Sequence, residues 1–294
     1  SLPHGSGQLT FATSGSTGTP KKVTHPIDTL ALEANFWADL LQPTAQVVSL
    51  VSPHHIFGFL FSVLVPKAGD LDLIDSQFFN VGQFKDAIMA APSVIVGTPT
   101  HWAYMGRSID YFPDTAIGVT STAPMPKGLF QTLREKGLKR LVHIYGSTET
   151  AGLGYRERPD EPYKPVPGVT LLAAGDGWAV TRAGSDQVVP VMDNLTVNAD
   201  TTFTITERRD GAIQVGGINV FPRRVAALLE TDDHVAESTV LFCHHRQRLV
   251  AHIVPTDLTL DNSLVEDQLR ALCRQELSDP ECPGRYEFCQ NLPT

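Results

Sequence analysis

A loop of small, hydroxyl-bearing residues near the start of the chain has the composition of a polyphosphate-binding segment. Residues 13–22 read Thr-Ser-Gly-Ser-Thr-Gly-Thr-Pro-Lys-Lys. The glycines let backbone N–H groups approach an anion, the hydroxyls donate hydrogen bonds, and the lysine supplies charge. A Walker A loop is excluded, because Pro20 stands where that motif needs glycine. A flexible surface linker is the alternative. The predicted phosphate contacts are Thr13, Ser14, Gly15, Ser16, Thr17, Gly18 and Lys21.

A second polar cluster follows a predicted strand at 141–144. Residues 145–149 read Tyr-Gly-Ser-Thr-Glu, and open α/β sheets bind ligands at the carboxyl ends of their strands. The Tyr145 ring can stack on a base, and a glutamate beside phosphates is a natural Mg²⁺ ligand, which predicts that role for Glu149. The alternatives are core packing for Tyr145 and a solvated turn carboxylate for Glu149.

The elements that would position these clusters alternate between strand and helix up to about residue 155. This alternation predicts a largely parallel α/β sheet, with the segment 71–74 as one of its buried strands and a Gly-containing turn directly after 141–144. The predicted strands are 8–13, 47–51, 71–74, 93–96 and 141–144, and the predicted helices are 27–41, 57–65, 84–90 and 127–136.

The pattern changes after Gly154. Short β-like runs alternate with turn residues from 169 to 206, which is typical of an all-β region. From Asp210 onward a strand (213–215), a helix (222–230), two strands (239–242 and 249–254) and a helix (263–277) suit a small separate domain. The predicted fold class is therefore α/β: a large N-terminal α/β sheet domain with a β-rich subdomain, plus a small C-terminal α+β lid. The predicted boundaries are 1–157, 158–209 and 210–294.

Composition excludes several classes of protein. The chain has 294 residues, of which 42% are hydrophobic, and a formal net charge of −9. A protein that coats nucleic acid needs a basic surface, so no nucleic-acid partner is expected. The sequence has no apolar run long enough for a membrane span and no signal-peptide pattern, so a cytoplasmic location is predicted. The four cysteines match no zinc pattern and are predicted to be reduced thiols.

Four segments, in their order along the chain, resemble the adenylate-forming superfamily of acyl- and aryl-CoA synthetases, peptide-synthetase adenylation domains and luciferases. Residues 13–23 resemble its phosphate-loop signature, and 145–149 its Tyr-Gly-x-Thr-Glu motif. Residues 53–58 resemble the segment with a His or aromatic gate beside the acyl pocket, which implies that role for His55. Ala123 begins a segment similar to the Gly-Ala-Pro stretch that lines the adenine and acyl sites.

Later motifs of the family are retained in part. Where the family has Thr-Gly-Asp, this chain keeps Asp193, and where it has a Gly-Arg-x-Asp hinge, the chain keeps Arg208 and Asp210. Residues 215–222 resemble the first strand and turn of the family's lid. The resemblance implies that Asp193 and Arg208 bind the ribose and that Asp210 is the pivot about which the lid moves. Ordinary surface ion pairs are the alternative for all three.

The resemblance also implies an activity. Family members activate a carboxylic acid with ATP and Mg²⁺ to give acyl-AMP and pyrophosphate, and a thiol of CoA or of a carrier-protein phosphopantetheine then displaces AMP. Gly146, Thr148 and Glu149 belong to the motif that serves this chemistry, with Glu149 as the Mg²⁺ ligand. The aromatic residues beside His55 (Phe57 and Phe59) favour an aryl or arylacrylic acid over a long fatty chain.

Two other kinds of protein stay open. One is a nucleotide-binding pseudo-enzyme or regulatory module, and the other is a different ATP-dependent enzyme, such as a kinase, whose product would be ADP. The family normally has a substantial segment before the phosphate loop and a Gly-Lys whose lysine assists adenylation, whereas this sequence has twelve residues before Thr13 and stops at Thr294. The expectation is a trimmed piece of an active enzyme that binds nucleotide and forms acyl-AMP slowly, with a degenerate member as the alternative.

Overall fold

The computed structural model describes residues 7–13, 21–42, 44–208, 211–215, 218–243, 246, 248–259 and 261–293. These residues form two compact units that divide between Glu207 and Arg208. The first unit contains both the α/β part and the β-rich part of the predicted organisation. The finer boundary at 157/158 stays a prediction.

The strands up to the end of the first unit are β1 (Gln8–Thr13), β2 (Lys21–Pro26), β3 (Gln46–Ser49), β4 (Asp72–Asp75), β5 (Ser93–Gly97), β6 (Ala116–Thr120), β7 (Arg140–Ser147), β8 (Ala151–Arg156), β9 (Lys164–Pro165), β10 (Val169–Ala174), β11 (Gly177–Arg182), β12 (Ser185–Val191), β13 (Asp193–Val197) and β14 (Phe203–Arg208). The helices of this unit are α1 (Ile27–Leu40), α2 (Ile56–Phe59), α3 (Val65–Gly69), α4 (Val81–Ala90), α5 (Pro99–Ser108) and α6 (Lys127–Glu135), and a π-helical segment, Leu60–Leu64, joins α2 to α3.

A seven-stranded sheet organises the first unit, in the order β4-β3-β5-β6-β7-β8-β9. The strands from β4 to β7 pair in parallel, and β8 and β9 add antiparallel pairs. The sequence-based prediction of a large α/β sheet is confirmed. The prediction of a buried strand at 71–74 is wrong in its burial, because β4 lies at the sheet edge and Leu73 is exposed.

Both faces of this sheet are covered by apolar side chains. Successive side chains of a strand point to opposite faces, and accordingly Val94 and Val96 of β5 belong to one core cluster while Ile95 belongs to another. Helix α1 contributes Trp37 to the first cluster, and α5 contributes Trp102 to the second. Burial on both faces explains why these strands are continuous apolar runs rather than alternating ones.

The end of β7 differs from the prediction. The sequence places a Gly-containing turn directly after 141–144, whereas β7 continues through Ser147 and pairs with β8. The strand can continue because a register shift between Tyr145 and Gly146 absorbs the irregularity. A side chain at Gly146 would collide with the carbonyl of Ala151, so this position needs glycine. The turn itself therefore falls at 148–150.

The β-rich part contains the antiparallel sheet β10-β11-β12 and the pair β13-β14. Its core includes Tyr163, Val180, Val191 and Phe203, and it also contacts Leu153 of β8. Separately, β1 and β2 form an antiparallel pair in which Thr13 is the register partner of Lys21. The two residues that flank positions 14–20 are thus neighbours.

The second unit is a small α+β domain. Its elements are β15 (Ile213–Val215), β16 (Ile218–Val220), α7 (Pro222–Leu229), β17 (Val235–Cys243), β18 (Arg248–Pro255), α8 (Asn262–Glu276) and β19 (Arg285–Phe288). The sheet β17-β18-β19 packs its apolar face on α7 and α8, with Val240, Leu249, Leu229 and Leu269 in the core. Within the described ranges, no helix is long and apolar enough to cross a membrane.

Candidate nucleotide-binding site

Two residues that the sequence assigns to a nucleotide lie in direct contact. The Tyr145 hydroxyl, near the carboxyl end of β7, donates a hydrogen bond of 2.6 Å to Oδ2 of Asp193, the first residue of β13. Asp193 is 8% exposed, so its carboxylate is held by the protein rather than by bulk water. The fold thus brings together two side chains 48 positions apart. Their roles toward adenine and ribose stay predictions.

The Tyr145 ring also belongs to an aromatic cluster. Its centroid lies 5.7 Å from that of Tyr163 and 5.8 Å from that of Phe203, and the last two rings are stacked at 5.6 Å. Aromatic pairs at such distances stabilise one another beyond simple burial. The ring of Tyr145 remains partly exposed. Packing and ligand stacking are therefore compatible, because the cluster holds part of the ring and the rest is accessible.

Ala123 is linked to the same cluster through a buried histidine. His143 Nε2 lies 3.2 Å from the Ala123 carbonyl oxygen, and its Nδ1 lies 3.3 Å from the Tyr163 hydroxyl. Burial, with the charge of Arg156 as a second cause, lowers the pKa of His143 to about 3. We infer a neutral imidazole that donates from Nε2 to Ala123 and accepts from Tyr163 at Nδ1. The Arg156 guanidinium lies 4.4 Å above the Tyr163 ring.

This buried histidine predicts a pH dependence of stability. Between its folded pKa of about 3 and its ordinary value of 6.5, the unfolded chain binds a proton that the folded chain does not. The stabilisation is complete above pH 6.5 and is lost as the pH falls, by about 1.4 kcal/mol per pH unit. His143→Gln keeps an amide donor for Ala123 but does not titrate. We expect its unfolding free energy, followed by tryptophan fluorescence in urea, to fall less steeply than that of the wild type between pH 6 and 4. Equal slopes would contradict a neutral, buried His143.

Glu149 and Thr148 lie in the turn between β7 and β8. The Glu149 carboxylate is 4.0 Å from Lys21 Nζ, with side-chain exposures of 31% and 65%. A partly exposed pair at this distance contributes little stability, so the pair itself does not prevent either side chain from contacting a ligand. The Thr148 carbonyl oxygen lies 2.6 Å from Nε2 of His25, which is buried and whose pKa is lowered mainly by that burial. A small pocket beside the turn is lined by His25, Glu149, Arg182 and residues of β12.

The remaining predicted site residues are distributed as follows. His55 is exposed, just before α2. Phe57 and Phe59 are partly buried and pack on Phe61 and Phe11, with ring centroids 5.4 Å and 5.7 Å apart. Positions 14–18 and 210, and the side chains of Thr13 and Arg208, lie outside the described part of the chain. The acyl gate, the hinge and the phosphate loop therefore stay predictions.

Whether the site fits Mg²⁺ depends on which oxygen donors its residues supply. Within the described residues, no group of three or more His, Cys, Asp or Glu side chains could hold a metal by itself. Mg²⁺ in nucleotide enzymes is commonly bound by one or two carboxylates together with substrate phosphates. The partly exposed carboxylate of Glu149 suits that arrangement. Its role as a metal ligand stays a prediction.

Sequence reasoning missed three residues that contact the turn or the start of β8. His25 contacts the Thr148 carbonyl, Glu33 accepts from the Gly152 N–H, and Arg182 donates to the Thr150 carbonyl. Glu33 was detectable in principle, because a carboxylate on the apolar face of a helix that also carries Leu30 and Trp37 needs a buried partner. Arg182 gave no local signal, since its partners are distant in sequence.

The family to which the chain belongs follows from comparison with known proteins. The family described as AMP-binding enzyme matches residues 10–222. A 4-coumarate–CoA ligase from Cereibacter sphaeroides is 33% identical over 294 residues, covering 97% of this chain and 68% of the ligase. One from Halorhodospira halophila is 33% identical over 293 residues, covering 99% and 74%.

Solved structures agree on the fold. A double mutant of o-succinylbenzoate CoA synthetase from Bacillus subtilis, bound with a CoA product analogue, matches with a TM-score of 0.81 at 19% identity, covering 97% of this chain and 66% of the synthetase. The same enzyme in complex with ATP and magnesium ion matches with a TM-score of 0.62 and the same coverage. The fold and motifs define an adenylate-forming enzyme of the AMP-forming ligase type. The chain belongs to the AMP-binding enzyme family and spans about two thirds to three quarters of the length of these relatives.

Proposed function

We propose that this chain activates a carboxylic acid with ATP, giving acyl-AMP and pyrophosphate, and transfers the acyl group to the thiol of CoA. The proposed acid is an aryl or arylacrylic acid, in line with the 4-coumarate–CoA ligases that are 33% identical to it. A carrier-protein phosphopantetheine is the other acceptor of the same chemistry. We also propose that the protein is located in the cytoplasm.

The chemistry requires positioning and charge neutralisation more than bond-making by the protein. A carboxylate is a poor acyl donor, and attack on the α-phosphorus converts it to an anhydride whose leaving group is AMP. Mg²⁺, when bound, neutralises charge on the phosphates. Glu149 would hold that ion, Lys21 would contact the phosphates, and Asp193 would take the ribose hydroxyls. The Tyr145 ring would pack on adenine beside the Ala123 backbone.

The observation that carries this proposal is the hydrogen bond between Tyr145 and Asp193. These residues come from two separate family motifs, and each is assigned a different part of one nucleotide. Their contact means that one adenosine could touch both. A third assigned residue, Ala123, is linked to Tyr145 through His143 and Tyr163.

The proposal is tested by supplying ATP and Mg²⁺ with a panel of acids and measuring pyrophosphate, AMP and ADP. We expect pyrophosphate release to depend on an arylacrylic acid such as 4-coumarate, and AMP release to rise further when CoA is added. Benzoate, 4-hydroxybenzoate and a long-chain fatty acid are the comparison substrates. Larger pyrophosphate release with the fatty acid would contradict the proposed preference for aryl acids, but not the proposed activation of a carboxylic acid.

The other kinds of protein give distinct results in the same assay. A kinase-type enzyme would form ADP in place of AMP and pyrophosphate. A nucleotide-binding module without catalytic function would bind ATP in calorimetry and release neither product with any acid. Acyl-AMP that forms and is then released without reaction with CoA would indicate a carrier protein as the acceptor.

A further inference from the structure

The turn that carries Glu149 is held from outside by three elements. Ala151, the first residue of β8 and the one directly after the turn, has a φ of +53°, a left-handed conformation that a residue with a Cβ adopts at some cost. Within the turn, the Ser147 and Thr150 hydroxyls bond each other at 3.0 Å and also accept from each other's backbone N–H groups. A strained turn persists when its surroundings fix it. The groups that fix this one come from β2, α1 and β11.

Arg182, at the end of β11, makes the largest set of these contacts. Its Nε donates to the Thr150 carbonyl at 2.8 Å, and a second nitrogen donates to the Gly152 carbonyl. Its remaining nitrogen pairs with Glu33 Oε2 at 3.0 Å. The planar guanidinium thus bridges two backbone carbonyls that are two residues apart, those of Thr150 and Gly152, and a carboxylate. A lysine ammonium cannot reproduce this fork.

Glu33 completes the arrangement from α1. Its Oε2 accepts from the Gly152 N–H at 3.2 Å, and its Oε1 accepts from the Trp37 indole at 3.1 Å. A side chain at Gly152 would collide with this carboxylate, so glycine is required there. With side-chain exposures of 1% for Glu33 and 10% for Arg182, the pair lies almost wholly out of water.

A buried ion pair is seldom a net source of stability, because desolvation offsets the attraction. Both side chains of this pair nevertheless form hydrogen bonds with one short backbone segment, from Thr150 to Gly152. This segment immediately follows Glu149. We propose that Arg182, oriented by Glu33, is a positioning residue that fixes the Glu149 turn for binding of Mg²⁺ and ATP. This inference rests on the proposed function, in which Glu149 holds Mg²⁺.

Arg182→Lys is the most informative variant. The ammonium can still pair with Glu33, so no buried charge is left alone, but it cannot hold both carbonyls. Loss of groups that orient a metal ligand typically lowers metal affinity or activity by about 10–100-fold. We expect the Mg²⁺ concentration for half-maximal pyrophosphate release to rise by about that factor. Arg140→Lys is the matched control, because Arg140 also joins a carboxylate (Glu157) to a backbone carbonyl (Leu40), away from the turn.

A double-variant cycle separates positioning from general damage. If Arg182 acts through Glu149, then Arg182→Lys adds little to the loss already caused by Glu149→Gln. If the activity of the double variant instead falls by the product of the two single-variant losses, the proposal about Arg182 is wrong. The proposed ligase function is unaffected by that result. Wild-type protein that neither releases pyrophosphate with any acid nor forms a thioester from synthetic acyl-AMP and CoA would instead contradict the function itself.

Backbone hydrogen exchange tests the positioning independently of activity. The Thr150 amide donates to Ser147 Oγ within the turn, and the Gly152 amide donates to Glu33 Oε2 of α1. In Arg182→Lys, exchange of a peptide covering residues 147–153 is expected to be faster than in the wild type. Arg140→Lys should leave it unchanged. Equal exchange in the wild type and in Arg182→Lys would overturn the role of Arg182.

Discussion

Replacing Glu149 with glutamine is expected to lower pyrophosphate release by about 10²–10³-fold, the effect of removing one group that stabilises developing charge. The Mg²⁺ dependence should shift to higher concentration, since the amide keeps the shape of the side chain but loses its charge. The fold should be retained, because Glu149 is partly exposed and its ion pair with Lys21 spans 4.0 Å. Such a pair contributes less than about 1 kcal/mol.

The control for this variant is Glu161→Gln, which removes a carboxylate from a surface pair with Arg158. Steady-state rates measured across a range of Mg²⁺ concentrations should leave that control at the wild-type value. A Glu149→Gln protein with unchanged rate and unchanged Mg²⁺ dependence would remove Glu149 from the metal site. A protein that loses activity because its melting temperature falls would do the same.

Much of the fold was accessible to sequence reasoning because its signals are local. The β-branched runs that became β3 and β5 are buried on both faces, and the apolar spacing of α1 matches its position over the sheet. Exposure of β4 was missed, because the segment 71–74, which contains Asp72, does not by itself reveal that it lies at a sheet edge. Strand β6 and helix α5 were also missed, since the first is interrupted by Gly118 and the second mixes polar and aromatic residues.

The candidate site shows the same division between local and distant information. Tyr145 and Asp193 were each recognisable from a motif, but their hydrogen bond depends on how β13 pairs and packs near β7. The extent of β7 through Ser147 depends on β8, whose register shift accommodates Gly146. His143 lies within the predicted strand 141–144. The sequence did not indicate its contacts with the Ala123 carbonyl and with Tyr163, which is twenty positions away. Each of these misses depends on a contact with another element of the fold, which the spacing of residues within one segment does not reveal.

The largest expected change in stability is for Glu33→Ala. The substitution leaves the Arg182 charge without its counterion and deprives the Gly152 N–H and the Trp37 indole of their acceptor. Removing one partner of a buried ion pair costs about 3–5 kcal/mol. All three tryptophans (Trp37, Trp102 and Trp178) lie in the first unit, so tryptophan fluorescence during urea unfolding reports on the unit that contains the change.

Two comparison variants make this expectation specific to the buried pair. Glu157→Ala removes the partner of Arg140, whose ion pair is much more exposed, and should cost less than about 1 kcal/mol. Glu33→Gln should fall between, because its amide oxygen can accept one of the two hydrogen bonds but does not neutralise Arg182. If the free energy of unfolding of Glu33→Ala is within about 1 kcal/mol of the wild-type value, then Arg182 is paired with another group or with water in the variant. That result would contradict the conclusion that the pair holds the turn. If the ordering holds, the buried pair of Glu33 and Arg182 stabilises the fold while bonding to the backbone next to Glu149. Its loss is then expected to disorder the turn that we propose binds Mg²⁺ and ATP.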